Sequence, residues 1–123
     1  MRFCELVQHA GLQGLRFNVP QGVRADRVSR PLLQRMKEAG FVHMNFGVEV
    51  GSDKMLKAVK KGEDLATIER AIQDAIAVGF DVTLNMMVGF PDQTLQDVED
   101  TFKLALKYPI RHANINNLIP YLG

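Results

Sequence analysis

Apolar and polar residues alternate in four short stretches of the chain, and the segments between them carry apolar residues at helical spacing. In "HMNFGVEVGS", residues 43–52, His43, Asn45, Gly47 and Glu49 fall on one side of an extended backbone. Met44, Phe46, Val48 and Val50 fall on the other. The pattern predicts four strands, near residues 15–22, 42–50, 80–89 and 112–119. The first sets Arg16 and Asn18 against Leu15, Phe17 and Val19. The third sets Asp81, Thr83 and Asn85 against Phe80, Val82, Leu84 and Met86. The fourth sets His112, Asn114 and Asn116 against Ala113 and Ile115. A strand in an ordinary parallel sheet is buried on both faces and apolar throughout. Here each strand has one polar face, and each of those faces carries an asparagine: Asn18, Asn45, Asn85 and Asn116.

The helical segments share a plan. Gly11, Gly40 and Gly79 each follow a helical stretch and precede a strand, as a left-handed helix cap does. They recur at roughly 30 to 40 residues, the length of one helix plus one strand. "SRPLLQRMKEAG" has Ser29 as N-cap, Pro31 in the first turn and a stripe of Leu32, Leu33 and Met36. "SDKMLKAVKKG" is read as a helix from a Ser52 cap to Gly62, with basic residues in its last turn. "LATIERAIQDAIAVG" buries Leu65, Ile68, Ala71, Ile72, Ala75 and Ile76. "TLQDVEDTFKLALKY" opens on Thr94 and Asp97 as a capping box and continues through Leu95, Val98, Phe102, Ala105 and Leu106. A first helix spans roughly residues 2–10. The expected fold is α/β: about four parallel strands alternating with helices, in a partial TIM-like β/α barrel whose lumen is polar.

Composition narrows the partners. The chain has 123 residues and a net charge of +1, enough for one domain with a core and no bias towards nucleic acid or a membrane surface. It has neither a membrane-length apolar run nor a secretory signal core, so cytoplasm is the expected location. Its single cysteine, Cys4, allows no intrachain disulfide and no cysteine-only metal site, and is expected to be a buried helix residue. The six methionines read as core fillers, His9 as a surface residue, and His43 and His112 as barrel-bottom residues.

In β/α barrels the chemistry sits at the C-terminal ends of the strands. The candidates there are Arg24 and Asp26, then Glu49, Gly51 and Ser52, then Gly89, Phe90 and Pro91, then Asn116, Asn117 and Tyr121. Glu49 could accept hydrogen bonds from hydroxyls or an ammonium group of a ligand, or it could pair with Arg24. For the lumen asparagines the alternatives are a ligand-facing surface and an internal polar network.

"GVRADRVSRPLLQRMKEAGF", "FGVEVGSDKMLKAVKKG", "MMVGFPDQTLQDVEDTF" and "NNLIPYLG" resemble, in this order, the radical S-adenosylmethionine (radical SAM) enzymes. The likeness covers nearly the whole chain. It is closest to the branch that often carries a cobalamin-binding domain upstream. The resemblance implies a partial (β/α)6 barrel. It implies that Glu49 contacts the ribose or methionine part of S-adenosylmethionine, and that Val88, Gly89 and Asn117 lie near its adenine. Arg24 would line the lumen and Ser52 would belong to the same cofactor surface, with Asn18, Asn45, Asn85 and Asn116 facing substrate. Val50 stands where the family usually has serine, and Gln93 where it has glutamate.

The family's Cys-x-x-x-Cys-x-x-Cys loop is absent, and iron–sulfur clusters need thiolate ligands. The chain therefore resembles the C-terminal two-thirds of the barrel without its cluster half, and is expected to be inactive alone. The complete enzyme would bind a 4Fe–4S cluster, cleave S-adenosylmethionine reductively and abstract hydrogen from a small-molecule substrate. Cobalamin would bind only through a separate domain. The expected partner is the missing N-terminal half of the barrel or a second copy of the chain. A competing expectation is a stand-alone half-barrel binding or assembly module, dimeric through its exposed sheet edges. A third, an unrelated phosphate-binding enzyme, ranks last because no glycine-rich phosphate loop is present.

Overall fold

The structure is a computed structural model and describes residues 2–12 and 14–119. Helix α1 (Arg2–His9) precedes β1 (Phe17–Val23) and a short 3-10 turn at Ala25–Arg27. Then follow α2 (Arg30–Glu38), β2 (Phe41–Glu49), α3 (Asp53–Ala58), α4 (Leu65–Val78), β3 (Asp81–Val88), α5 (Leu95–Lys107) and β4 (His112–Asn117). The strands form one parallel sheet in the order β1-β2-β3-β4. This is the expected α/β arrangement of four parallel strands alternating with helices.

The alternation decides the layering. Met44, Phe46 and Val48 of β2 and Val82, Leu84 and Met86 of β3 are buried on one face. They pack with Leu33 of α2, Ile68, Ala71, Ile72 and Ala75 of α4, and Leu104 and Ala105 of α5. Burying such side chains stabilises by about 1.5–3 kcal/mol each. The opposite face carries the polar residues, and register places them side by side. Asn18 pairs with His43, Asn45 with Thr83, Gly47 with Asn85, and Asn85 with Asn114.

Gly11, Gly40 and Gly79 all take positive φ, at 64°, 97° and 93°. Thr94 and Asp97 form the expected capping box. Cys4 is buried in α1. Ser29 precedes α2 but makes no side-chain cap hydrogen bond.

Two expectations are revised, and β1 carries an irregularity that the alternation does not predict. The helix expected to run to Gly62 ends at Ala58. Lys60, at φ 53°, takes the left-handed position, with Lys61 N–H donating to Leu56 O at 2.9 Å and Lys60 N–H to Lys57 O at 3.1 Å. These are the two bonds of a Schellman cap, usually built on glycine. The apolar stripe of α5 is also rotated from expectation. Thr101, Leu104 and Ala105 are buried, whereas Leu95, Phe102 and Leu106 are 75%, 44% and 84% exposed. Close approach of the α5 backbone to Gly51 turns that helix: a Cβ on Gly51 would lie 2.4 Å from Asp100 O. Finally, β1 bulges between Val19 and Val23, leaning Pro20 and Gly22 over the polar face of β2.

Candidate functional site

The polar face ends, at the C-terminal edge of the sheet, in a turn centred on Glu49. Its φ is 70°, and Val50 N–H donates to Val48 O across it at 2.9 Å. A left-handed non-glycine residue carries strain of order 1–3 kcal/mol, and such residues cluster at functional sites. The turn breaks the β2–β3 register between Gly47 and Glu49. It folds the carboxylate back over Gly47, so that Oε1 lies 3.4 Å from where a Gly47 Cβ would sit.

The cation beside Glu49 is Lys61, not Arg24. Lys61 Nζ donates to Glu49 Oε1 at 3.2 Å and lies 3.9 Å from Glu63 Oε2. The Lys61 side chain is 14% exposed, Glu49 28%, and Glu63 fully buried. Arg24 instead grips Asp26 through two bonds, Nε to Oδ1 at 3.0 Å and Nη2 to Oδ2 at 2.9 Å. It also donates to Lys61 O at 2.9 Å and Gly62 O at 3.4 Å. The Arg24 guanidinium, hydrogen-bonded to Asp26, holds that carboxyl below its ordinary value. Lys61 and Glu63 are the site residues that sequence reasoning missed. The doublet Lys60–Lys61 reads as a solvated last turn, and only the Schellman cap swings Lys61 back to the strand end.

Ser52 caps α3, its hydroxyl accepting from Met55 N–H at 3.3 Å. Gly51 is buried, with its N–H on Thr101 Oγ1 at 3.0 Å. Val88 O accepts from Leu118 N–H at 2.8 Å, and Gly89 N–H donates to Gln93 Oε1 at 2.7 Å. Gln93 thus supplies the loop acceptor that a glutamate would supply there. With those polar groups already paired, the exposed Gly89 (φ 90°) offers a flat, uncrowded backbone surface.

The asparagines divide. Asn45 is 5% exposed, with Nδ2 on Pro20 O at 2.8 Å and a buried Oδ1 that has no hydrogen-bond partner among the described residues. Asn85 Oδ1 accepts from Asn114 Nδ2 at 2.9 Å. Asn18 and Asn116 are exposed on the same face. Asn117 alternates to the opposite face at the end of β4 and is exposed. Met87, in register with Asn116, also lies on the polar face. His43 pairs with Thr83 Oγ1 at 2.9 Å. Tyr121 lies outside the described residues.

A family model of the radical SAM superfamily matches residues 18–105, and the chain belongs to that superfamily. It is 30% identical over 111 residues to an uncharacterized methyltransferase of Pyrococcus horikoshii, a match that covers 90% of this chain and 24% of that protein. Its fold superposes on coproporphyrinogen III oxidase of Escherichia coli with a TM-score of 0.78 at 18% identity, covering 96% of this chain and 27% of the other. It also superposes on the radical SAM methyltransferase TsrM of Kitasatospora setae, solved with cobalamin and a 4Fe–4S cluster bound. That match has a TM-score of 0.79 at 17% identity and covers 94% of this chain and 23% of the other. The chain thus spans about a quarter of the length of the relatives it matches.

The superfamily's cofactors are S-adenosylmethionine and a 4Fe–4S cluster. The residues here do not fit the cluster. The one cysteine is buried in α1, and the described residues hold no group of three or more His, Cys, Asp or Glu placed to bind a metal. No described helix is long and apolar enough to cross a membrane.

Proposed function

We propose that this chain forms part of the S-adenosylmethionine and substrate surface of a radical SAM enzyme whose iron–sulfur cluster is held by residues outside it. The observation that carries this reading is the Glu49–Lys61 pair, set on a strained turn at the open end of β2. A carboxylate and an ammonium side by side match the α-ammonium and α-carboxylate of an amino acid, and the carboxylate also suits ribose hydroxyls. With Glu63, Asp26, Arg24 and Arg27, the cluster sets three carboxylates against three cations, a balanced network that suits a zwitterionic ligand. Gly89 and the end of β4 at Asn117 provide surface for adenine, and Ser52, the N-cap of α3, belongs to the same cofactor surface. Asn18, Asn85 and Asn116 face substrate, and Asn45 shapes the floor under the β1 bulge.

In this superfamily S-adenosylmethionine, reduced by the cluster, supplies the means of hydrogen abstraction; this chain's residues bind, orient and shield. Cobalamin, if the complete protein uses it, belongs to a separate domain. The domain reading is accordingly a partial radical SAM core across residues 1–123.

Backbone amide NMR of the chain titrated with S-adenosylmethionine tests this. Shifts are expected at Glu49, Lys61, Gly89 and Asn117, with binding about tenfold weaker in Glu49→Gln, the loss expected for a charged hydrogen bond. No shifts at millimolar ligand, or shifts confined to another face, would overturn it.

A second reading, a self-completing dimer, is favoured by one observation. Phe102, Leu106, Ile110, Ala113 and Ile115 line an open groove of about 360 Å3 beside β4, an edge strand of the sheet. Another β/α unit or a second copy would cover it.

A further inference from the structure

Glu63 joins the two segments that frame the site. Its side chain has no exposed surface. Oε1 accepts from Asp26 N–H at 2.9 Å, while Oε2 is buried with no hydrogen-bond partner among the described residues and faces Lys61 Nζ at 3.9 Å. A buried carboxylate is unfavourable unless paired, so the Asp26 amide and the Lys61 ammonium are what keep Glu63 in place. By reciprocity Glu63 keeps Lys61 in place. The Lys61 backbone is held separately, since Arg24 donates to the carbonyls of both Lys61 and Gly62 while Asp26 locks the guanidinium in a two-bond fork.

We propose that Glu63 and Arg24 are positioning residues for Lys61. Arg24 pins the Lys61 main chain to the segment after β1. Glu63 holds the ammonium from behind. The reading rests on the ligand role of the Glu49–Lys61 pair. A ligand that engages Glu49 competes for the one hydrogen bond Lys61 Nζ makes to it at 3.2 Å. A lysine has a long, freely rotating stem, and without a second carboxylate it would swing to solvent once Glu49 turned to the ligand. Glu63 cannot turn away, because it is buried and tied to the Asp26 amide. The ammonium therefore stays at the strand end, available to a carboxylate of the ligand. Arg24 takes part in the site through Lys61 rather than by touching the ligand.

The test uses ammonium-detected NMR of the 123-residue chain. A lysine ammonium held in ion pairs and shielded from water exchanges slowly enough to be seen. The wild type should show a persistent Lys61 signal, assigned by its loss in Lys61→Gln. In Glu63→Gln and in Arg24→Gln that signal should broaden away, while the amide spectrum of the sheet is unchanged. A Lys61 signal as sharp in both variants as in the wild type, or none in the wild type, would overturn the proposal whether or not S-adenosylmethionine binds. Where it binds, Glu63→Gln should weaken it about tenfold in the wild-type background and not at all in the Lys61→Gln background. Equal loss in both backgrounds would mean that Glu63 acts on the fold rather than on Lys61.

Discussion

Asp97 shows how one side chain joins local and long-range structure. It caps α5, taking the Thr94 N–H at 2.9 Å and the Thr94 hydroxyl at 2.7 Å on Oδ2. The same oxygen accepts from Lys54 Nζ at 2.8 Å, tying α3 to α5. Lys54 first, and then the Thr94 amide, hold the carboxyl down at about 2 from the ordinary 3.8. A carboxyl whose pKa falls on folding stabilises the fold fully above its unfolded value. That contribution drains away as pH falls from 3.8 towards 2. Thermal melts of wild type and Asp97→Asn should therefore differ most above pH 4 and converge near pH 2. A gap independent of pH would refute the assignment. Glu49 is the contrasting case, a carboxylate held in strained backbone beside a lysine, with no capping or core role to explain it.

Among the elements, α5 and the end of β2 meet through Gly51. The Thr101 hydroxyl accepts from Gly51 N–H at 3.0 Å and donates to Asp97 O at 2.9 Å, closing a junction that has no room for a side chain on residue 51. A Cβ there would stand 2.4 Å from Asp100 O and 2.5 Å from Thr101 Cα, contacts that only backbone movement relieves. Gly51→Ala should cost about 3 kcal/mol by overpacking, read as a lower denaturant midpoint. A loss below about 1 kcal/mol would mean that α5 shifts freely. The glycine before "SDKML" was legible as a strand-end residue, but its partner lies 50 residues away and left no local signal. The Schellman cap at Lys60 was illegible for a different reason. Lysine is a poor left-handed residue, and nothing local outweighs its preference for continuing the helix.

At the scale of the whole molecule, one face of the sheet is covered by helices and the other is open. Exposed apolar residues lie at both edges: Phe3, Leu6, Leu12 and Leu15 on the α1–β1 side, and Phe102 and Leu106, which border the groove beside Ala113 and Ile115, on the β4 side. Exposed apolar grooves at a sheet edge are association sites. Leu106→Glu should leave monomer stability within about 0.5 kcal/mol of wild type. It should lower the weight-average mass in sedimentation wherever the wild type self-associates. A dimer that survives this change would have to be built on another face.

The sequence by itself determined the parallel β/α order, the apolar layer and the polar layer. Those depend on the period of side chains along one element, which any extended or helical backbone enforces. It also marked Glu49, Gly89 and the capping box, whose signals lie within a few residues. Tertiary structure alone decided which cation meets Glu49, which asparagines are closed off and which side of α5 is buried. Each of these depends on how far one element is turned or displaced against another. Lys61 reaches Glu49 across 12 residues, and Arg24 reaches the Lys61 carbonyl across 37, through a helix cap and a β-bulge that local propensity does not encode.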